Sequence, residues 1–398
     1  MRTLLLSKTG LNKIRSHHKE LKQVDVEDSI KSFIPGEWAL LHHPTSQLSY
    51  ICFLNPLIDE KFASIYIISS LEQKNISSFD IQSFIKSEIL RAFKKRQRFL
   101  SYENGSRIFY GAPDGLPGLI IDKFKSQAII QINTAGIDKY RDFIKTEVEK
   151  IVGGEAFLLD NAKYREKEAL PTYETKPLPS LEIEENGIKF AIRAEVLQKV
   201  GFYYDHRENR AQLLHLLSRL STQFTNGVDL FSYVGAWGLT GLLAGVQKMT
   251  FVDQGNFDQE INACLKLNGF EGRGEFLRMD VFKFLDETIQ QKKEFDLVLC
   301  DPPAFAKSPS QKDQALEGYS KLHRKVFRLA APSGLVAFSS CTHYVSHEEF
   351  QRNILEAANK EGRKIQLIYC GMQGWDHPVT SLMDKSNYIK SYFYLLES

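Results

Sequence analysis

The chain has 398 residues, of which 43% are hydrophobic and 25% charged, and this length is enough to bury the cores of about two or three globular domains. The apolar run at the N-terminus stops after Leu6 and no apolar stretch is long enough to span a bilayer, so we expect a cytoplasmic protein with no membrane partner. A net charge of +2 excludes a surface coated in phosphate contacts, so any nucleic-acid binding must come from a local patch.

Residues 1–75 are predicted to form a small β-rich domain. Proline-containing breaks separate short apolar runs, and residues 50–54 and 65–68 are typical of strands. A helix is predicted next, over residues 81–100, and it carries a dense cationic run of Arg91, Lys94, Lys95, Arg96 and Arg98. Such a run is more often a solvated helix face than a phosphate-contacting patch, and the pattern alone leaves both interpretations open.

Residues 76–195 are predicted to form a central α+β domain that begins with this basic helix. A turn at Asp114 to Gly118 precedes an apolar strand at residues 119–121. Further on, residues 181–192 alternate between apolar and polar on both sides of Asn186-Gly187, a dipeptide that suits a two-residue hairpin. We expect this hairpin to close the central domain.

Residues 196–398 are predicted to form a Rossmann-like α/β domain with a doubly wound parallel sheet, because buried strands and helices alternate regularly there. The strands are expected at residues 228–231, 249–252, 275–278, 295–300, 335–340, 365–369 and 388–396. No convincing helix separates the last two, so the final strand is expected to be antiparallel. Ligands bind at the carboxyl ends of the strands in such sheets, which is where the functional site should lie.

A glycine-bearing turn follows the first strand of this domain, from Asp229 to Gly238, where a ligand can approach the backbone and the positive end of a helix. The turn lacks the first glycine of GxGxxG, which argues against a dinucleotide-dependent dehydrogenase. The next strand ends in Asp253, which is placed to accept both hydroxyls of a ribose.

A second acidic position follows the third strand. Asp280 and the backbone amide of Val281 suit the amino group and ring nitrogen of adenine, although an aspartate before a helix is also a common N-cap. A ribose acid and an adenine acid on successive strands, next to a glycine turn, indicate an adenosyl cofactor.

The fourth strand ends in Asp301-Pro302-Pro303-Ala304-Phe305. Two consecutive prolines cannot continue a sheet, so the chain must turn rigidly here and bring Asp301 beside the cofactor. An acid followed by two prolines at this place is typical of a methyltransferase that acts on a planar nitrogen heterocycle. Phe305 is a candidate surface on which an unstacked base would lie.

The fifth strand places Cys341 at the same edge of the sheet as Asp301, where a thiol could act as a nucleophile. Free cysteines are more often core residues. We interpret the remaining four in that way: Cys52, Cys264, Cys300 and Cys370. Since the cysteines form no CxxC pair, we expect no disulfide framework.

His343 and His347 are four residues apart and could share a helix face, but no third ligand is evident. We therefore expect no metal site.

These motifs resemble the PUA-domain class I methyltransferases of 23S ribosomal RNA that form 5-methylcytosine, the large-subunit methyltransferase I family. The resemblance covers nearly all of residues 100–398, and the matching segments are residues 114–122, 201–210, 229–238, 301–305 and 340–342. It implies a PUA-like N-terminal domain, a central domain related to substrate recognition and a Rossmann-like methyltransferase domain. It also implies S-adenosyl-L-methionine as cofactor and RNA, in particular 23S ribosomal RNA, as partner, with the oligomeric state, monomer or homodimer, left open.

The resemblance further implies that the segment around Asp205 folds over the cofactor. The cofactor-binding residues then expected are Phe202, Asp205, Arg207, Asp229, Phe231, Ser232, Gly235, Ala236, Asp253, Asp280, Val281 and Asp301. Those expected to contact the substrate base are Pro302, Pro303 and Phe305.

Cytosine C5 is too weak a nucleophile to take a sulfonium methyl group directly. We therefore expect the Cys341 thiolate to add to C6 and make C5 enamine-like, while Asp301 bonds to N3 and the exocyclic amine of the ring. A base must later remove the C5 proton, and the sequence does not identify it. Because an unperturbed thiol is only a few per cent ionised at pH 7, the site is expected to lower the pKa of Cys341.

Two alternatives stay open at this point. An enzyme that methylates an exocyclic amine of guanine or adenine would use an acid-Pro-Pro-aromatic turn without a thiol, although here Ala304 separates Pro303 from Phe305. A catalytically silent RNA-binding protein would predict damage to the glycine turn or to the acid-Pro-Pro segment, and both are intact.

Overall fold

The computed structural model describes residues 1–46, 48–60, 62–72, 78–99, 105–159, 162–171, 173, 178, 180–193, 196, 202–380 and 386–397. These described residues divide into two compact units, the first ending at residue 178 and the second beginning at residue 180. No helix in the described part of the chain is long and apolar enough to cross a membrane.

A mixed sheet forms the beginning of the first unit. Its strands, in the described part of residues 1–72, are Arg2–Leu5 (β1), Glu20–Leu21 (β2), Glu37–His42 (β3), Leu48–Leu54 (β4) and Ile65–Glu72 (β5), in the order β1-β3-β4-β5-β2. The β1–β3 pair is parallel, and the other pairs are antiparallel. Helix α1, Lys8–Arg15, follows β1. Both strands expected here are present, and the sheet is compatible with a PUA-like domain, which stays a prediction.

A second sheet, in residues 105–159, contains Ser106–Tyr110 (β6), Leu119–Phe124 (β7), Gln127–Ile132 (β8) and Ala156–Leu158 (β9), in that order. The helices around it are Ile81–Arg96 (α2), Ala135–Asp138 (α3), Arg141–Val152 (α4) and Ala162–Lys167 (α5). Helix α2 begins after Asp80, whose carboxylate accepts a hydrogen bond from the Ser83 amide.

Buried polar contacts join the two sheets of the first unit. The indole nitrogen of Trp38 donates to the carbonyl of Gly136 over 3.0 Å. The carboxylate of Glu168 accepts hydrogen bonds from Tyr66 and Asn55, both on or next to the first sheet. These contacts explain why residues 1–178 form one compact unit, while the boundary proposed at residue 75 stays a prediction.

The predicted hairpin is present as Leu181–Glu185 (β10) and Ile188–Ile192 (β11), with Asn186 and Gly187 at φ values of 52° and 83°. It belongs to the second unit rather than to the central domain. The reason is that the amide and carbonyl of Lys189 bond to the side chain of Asn268, over 2.9 and 2.7 Å.

The main sheet of the second unit has, within residues 202–380 and 386–397, the strand order β14-β13-β12-β15-β16-β18-β17. These strands are Asn226–Leu230 (β12), Lys248–Asp253 (β13), Gly274–Arg278 (β14), Phe295–Cys300 (β15), Ala330–Ser340 (β16), Ile365–Gly371 (β17) and Lys390–Leu396 (β18). Strand β18 is antiparallel to both neighbours, and the remaining described pairs are parallel. The predicted Rossmann-like fold and its antiparallel last strand are therefore confirmed.

The helices of this unit are Arg207–Leu217 (α6), Ala236–Leu243 (α7), Asp258–Leu267 (α8), Val281–Gln290 (α9), Lys312–Leu329 (α10) and His347–Lys360 (α11). Short 3₁₀ turns in the described chain lie at Gln23–Asp25, Ile30–Ser32, Ala112–Asp114, Tyr204–His206 and Pro309–Gln311. Strand residues such as Val228, Val298 and Phe338 are fully buried between these helices, and each such side chain contributes about 1.5–3 kcal/mol. The strand order reverses between β12 and β15, so a crevice opens at their carboxyl ends.

Candidate active site

A sharply curved turn leads from β12 into α7. Phe231, Tyr233 and Gly235 have φ values of 62°, 49° and 82°, and the left-handed region is costly for residues that carry a Cβ. The amide of Ser232 donates to the carbonyl of Val252 over 3.1 Å, which ties the turn to β13. Helix α7 begins at Ala236, so its positive N-terminal end lies at the crevice.

Two buried polar atoms at this turn lack a protein partner. One oxygen of Asp229 accepts a hydrogen bond from the Gly238 amide over 2.8 Å. The other oxygen, and the hydroxyl of Ser232, have no hydrogen-bond partner among the described residues. Burial raises the pKa of Asp229 to about 8. Because unpartnered buried polar groups are costly, both atoms are candidates for contact with a ligand.

The acid that ends β13 and the acid that follows β14 lie in different surroundings. The carboxylate of Asp253 accepts hydrogen bonds from the amides of Tyr233, over 3.0 Å, and Gly255, over 2.7 Å. A carboxylate can accept about four hydrogen bonds, so capacity is left for ribose hydroxyls. Asp280 is exposed and caps α9 by accepting from the Lys283 amide over 3.0 Å. Val281 is buried in the core, and a contact of either residue with adenine stays a prediction.

Two buried rings hold the carboxylate of Asp301. The indole nitrogen of Trp237 donates to Oδ2 over 3.0 Å, and Nε2 of His206 lies 3.5 Å from the same oxygen. On the other side of the imidazole, Nδ1 is 3.2 Å from the side-chain nitrogen of Asn209. Since an amide nitrogen only donates, Nδ1 accepts and the assigned ring proton lies on Nε2, facing Asp301.

The Asp-Pro-Pro turn is bonded to the segment that follows β16. The amide of Phe305 donates to the hydroxyl of Thr342 over 3.2 Å. The Phe305 ring stacks on Tyr319, with 4.6 Å between the ring centroids. One face of Phe305 is therefore covered by the protein itself, so a base could stack only on its other face. Pro302 is buried and Pro303 exposed.

Cys341 follows β16 and is half-buried. Burial raises the pKa of its thiol to about 12, the carboxylates of Asp301 and Asp205 raise it as well, and Lys390 lowers it. The expectation that the site lowers the pKa of Cys341 is therefore wrong for the chain alone. Desolvation and two nearby carboxylates outweigh one ammonium group.

Three of the other four cysteines are core residues, as predicted, and one is not. Cys52, Cys264 and Cys300 are buried, as expected of core residues. Cys370 is exposed, so its assignment to the core is wrong. It lies on β17, which is an edge strand of the described sheet and has side chains that face away from the core.

The segment expected to fold over the cofactor is buried and bonded within the second unit. The guanidinium of Arg207 lies 3.6 Å from carboxylate oxygens of both Glu185 and Asp376. Phe202 packs against Phe190 with 5.1 Å between ring centroids, and Asp205 accepts a hydrogen bond from the Tyr388 hydroxyl over 2.8 Å. These contacts stabilise the second unit by themselves, and contact of this segment with a cofactor stays a prediction.

Three residues of this site escaped the sequence analysis: His206, Trp237 and Lys390. Lys390 is 1% exposed, and its Nζ donates to the carbonyls of Thr342 and Tyr388, each over 2.9 Å. Burial lowers its pKa to about 8. One signal could have found it, since a lysine at the start of a strand that is mostly apolar and aromatic is unusual.

The two histidines considered as metal ligands have aromatic partners. His343 stacks on Tyr388, with 4.9 Å between centroids, and Nδ1 of His347 lies 3.1 Å from the Tyr392 hydroxyl. No cluster of three metal-binding side chains occurs in the described part of the chain.

Known proteins resemble this chain over most of its length. A family described as S-adenosylmethionine-dependent methyltransferases matches residues 144–362. Ribosomal RNA large subunit methyltransferase I of Alteromonas mediterranea is 29% identical over 325 residues, which cover 80% of this chain and 81% of that protein. The enzyme of the same name from Yersinia pseudotuberculosis is 30% identical over 298 residues, 73% of this chain and 74% of that protein.

A solved structure has a similar fold over nearly all of the chain. A putative SAM-dependent methyltransferase from Streptococcus mutans superposes with a TM-score of 0.77 over 99% of this chain and 100% of that one, at 17% identity.

Proposed function

This chain belongs to the family of S-adenosylmethionine-dependent methyltransferases that includes ribosomal RNA large subunit methyltransferase I, and on that premise we propose that it methylates C5 of a cytosine in 23S ribosomal RNA. The observation that carries this proposal is the presence of Cys341 and Asp301 at the carboxyl ends of two adjacent strands, beside the glycine turn. A ribosomal substrate implies that the enzyme acts in the cytoplasm.

The residues around the glycine turn fit the cofactor of this family. The unpartnered oxygen of Asp229 suits an ammonium group, and the Ser232 hydroxyl suits a carboxylate, so both would hold the amino-acid part of S-adenosylmethionine. Asp253 would hold the ribose hydroxyls. When bound, the sulfonium supplies an electrophilic methyl group.

In the proposed mechanism Cys341 and Asp301 act on the target base from the same edge of the sheet. The Cys341 thiolate adds to C6, which makes C5 nucleophilic enough to take the methyl group. A base that the sequence does not identify then removes the C5 proton, and the electron pair of that C–H bond restores the ring double bond as the Cys341–C6 bond breaks. Asp301, held by Trp237 and His206, shares its carboxyl proton with N3 and accepts a hydrogen bond from the exocyclic amine, which stabilises the negative charge that develops on the ring. Phe305 offers its uncovered face to the unstacked base.

The first part of the chain is proposed to recognise the RNA. From the sequence we divide the chain into a PUA-like domain, residues 1–75, a central domain, residues 76–195, and the catalytic domain, residues 196–398. The hairpin at residues 181–192 is the part of this proposed central domain that packs in the second unit instead. The cationic run on α2 gives one possible contact surface, although Arg96 does not belong to that surface. Its guanidinium is buried against Asp114, with 2.7 Å between Nη1 and Oδ1.

One observation favours a second candidate, the methylation of an exocyclic amine of guanine or adenine. Burial raises the pKa of Cys341 to about 12, so the thiol of the chain alone is protonated near neutral pH. An amine methyltransferase would need no thiolate. Under the cytosine proposal, by contrast, the thiolate must form when substrate and cofactor are bound.

A methyl-transfer assay on unmodified 23S ribosomal RNA separates the two candidates. The wild type, Cys341→Ala and the control Cys370→Ala, which changes an exposed thiol on β17, would be incubated with tritiated S-adenosylmethionine and the products identified by nucleoside mass spectrometry. We expect 5-methylcytosine from the wild type and the control and none from Cys341→Ala. Full activity of Cys341→Ala, or a methylated exocyclic amine, would reject the cytosine proposal.

A further inference from the structure

We propose that Lys390 is a positioning residue that stabilises the thiolate of Cys341, an inference that rests on the nucleophilic role proposed above for that cysteine. Its position follows from the sheet. Lys390 opens β18, and the antiparallel register places it opposite Ser340, the residue before Cys341. A cation is therefore built into the strand that adjoins the proposed nucleophile.

The side chain of Lys390 is held in place from two directions. Its Nζ donates to the carbonyl of Thr342, immediately after Cys341, and to the carbonyl of Tyr388, each over 2.9 Å. An ammonium group carries three N–H donors, so these two carbonyls leave one donor for a further partner. The contact with Thr342 ties the ammonium to the backbone that carries the thiol.

Charged groups from several elements surround the thiol. Asp301, which follows β15, and Asp205, in the 3₁₀ turn before α6, both oppose ionisation of Cys341, whereas Lys390 favours it. The thiol also interacts electrostatically with Tyr203 and Tyr319, and burial and the thiol both raise the pKa of their hydroxyls. Lys390 also acts electrostatically on His347 of α11, whose pKa burial lowers and Lys390 lowers further. Lys390 thus counteracts two carboxylates that would otherwise disfavour a thiolate.

Burial of the Lys390 ammonium has a free-energy cost, which a nearby negative charge would offset. Moving an ammonium out of water has a large free-energy cost in proteins unless a counter-charge compensates for it. Among the described residues no carboxylate forms an ion pair with Lys390, although such pairs occur in the same unit at Arg210 and Glu185. A methionine of similar length would fill the same space without that cost. The thiolate of Cys341 is the counter-charge that the geometry offers.

Alkylation of Cys341 by iodoacetamide tests the inference without RNA or cofactor. The full-length wild type, Lys390→Met and a control, Lys364→Met, would be alkylated at pH 7.5, where Lys390 carries its proton for most of the time. The control removes a lysine whose side chain is 82% exposed and 3.8 Å from Glu397. Mass spectrometry would give the rate at the Cys341 peptide, normalised to the exposed Cys370.

We expect Lys390→Met to alkylate roughly tenfold more slowly at Cys341, which corresponds to a rise of about one unit in the pKa of the thiol, and Lys364→Met to react like the wild type. An unchanged or faster rate in Lys390→Met would overturn the inference.

The wild type provides a second test that does not depend on the folding of a variant. Because only the ammonium form can stabilise the thiolate, the rise of the alkylation rate with pH should flatten where Lys390 loses its proton, near its pKa of about 8, and then resume. A uniform tenfold increase per pH unit from pH 7 to 10 would contradict the inference. Failure of either test leaves the proposed function standing, whereas full activity of Cys341→Ala would reject that function and leave the alkylation rates valid.

Discussion

At the scale of single residues, burial decides the protonation of the site's two most unusual acids. Asp229 and Cys341 both have a raised pKa because the protein removes water from them. Asp301 is held differently, by a hydrogen bond from Trp237 and by the imidazole of His206, whose Nε2 lies 3.5 Å from the same oxygen. The same crevice therefore contains Asp229, which burial keeps protonated, and Asp301, which polar partners orient. Such a pair fits a site that binds both a charged cofactor and a polar base.

The raised pKa of Asp229 predicts a pH-dependent stability. Below pH 3.8, the ordinary pKa of an aspartate, the carboxyl is protonated in the folded and unfolded chains alike. Between about 4 and 8 only the unfolded chain ionises, so the free energy of unfolding falls as the pH rises, by at most about 1.4 kcal/mol per pH unit, and it levels off above pH 8. In Asp229→Asn this contribution is absent.

Urea unfolding of the wild type and of Asp229→Asn at pH 5 and pH 8.5 would measure the effect. We expect the asparagine variant to gain stability relative to the wild type as the pH rises, because it lacks the carboxyl that ionises only in the unfolded chain. Its side-chain oxygen can still accept the hydrogen bond from the Gly238 amide, so the turn should be preserved. An equal difference between the two proteins at both pH values would show that Asp229 does not titrate in this window.

At the scale of elements, the close packing of α7 on the sheet positions the glycine turn. An added Cβ at Gly238 would lie 2.3 Å from the ring of Phe251. We therefore expect Gly238→Ala to displace α7, to cost about 1–3 kcal/mol in stability and to weaken binding of S-adenosylhomocysteine at least tenfold.

A substitution on the same helix serves as the control for this prediction. At Gly241 the nearest atom to an added Cβ is in the flexible side chain of Leu297, at 3.1 Å. Gly241→Ala should therefore bind S-adenosylhomocysteine much more tightly than Gly238→Ala, as measured by calorimetry. Equal affinities would mean that the packing of α7 does not determine the cofactor site.

At the scale of the whole molecule, the chain combines a first unit with two sheets and a second unit that contains the proposed catalytic groups. If the first unit recognises RNA, three exposed cations at the end of α2 and just after it, Lys94, Lys95 and Arg98, should contribute to affinity but not to chemistry. Each phosphate contact that is lost makes the slope of the logarithm of the binding constant against the logarithm of the salt concentration shallower by about one.

The triple substitution Lys94→Ser, Lys95→Ser, Arg98→Ser tests this expectation. We expect RNA affinity in 0.15 M salt to fall by about tenfold, with a shallower salt dependence, while the rate at saturating RNA stays close to that of the wild type. Substitution of Lys283 and Lys321, which are exposed in the second unit, is the control. A triple variant with unchanged affinity would identify the run on α2 as a solvated helix face.

The sequence by itself determined the features that depend on neighbouring residues. The alternation of strands and helices predicted the Rossmann-like sheet and its antiparallel last strand, and Asn186-Gly187 predicted the hairpin turn, because local periodicity and backbone preferences act over a few residues. Cys341 and Asp301 could be predicted to lie together for a related reason, since the carboxyl ends of parallel strands meet at one edge of a sheet.

Only the tertiary structure decided what surrounds those groups. Lys390 is 48 positions from Thr342 and Trp237 is 64 positions from Asp301, so no local pattern could place these pairs in contact. The burial of Arg96, the exposure of Cys370 and the raised pKa of Cys341 were also beyond the sequence. Burial and electrostatic field depend on which distant segments pack together, and short-range sequence patterns do not contain that information.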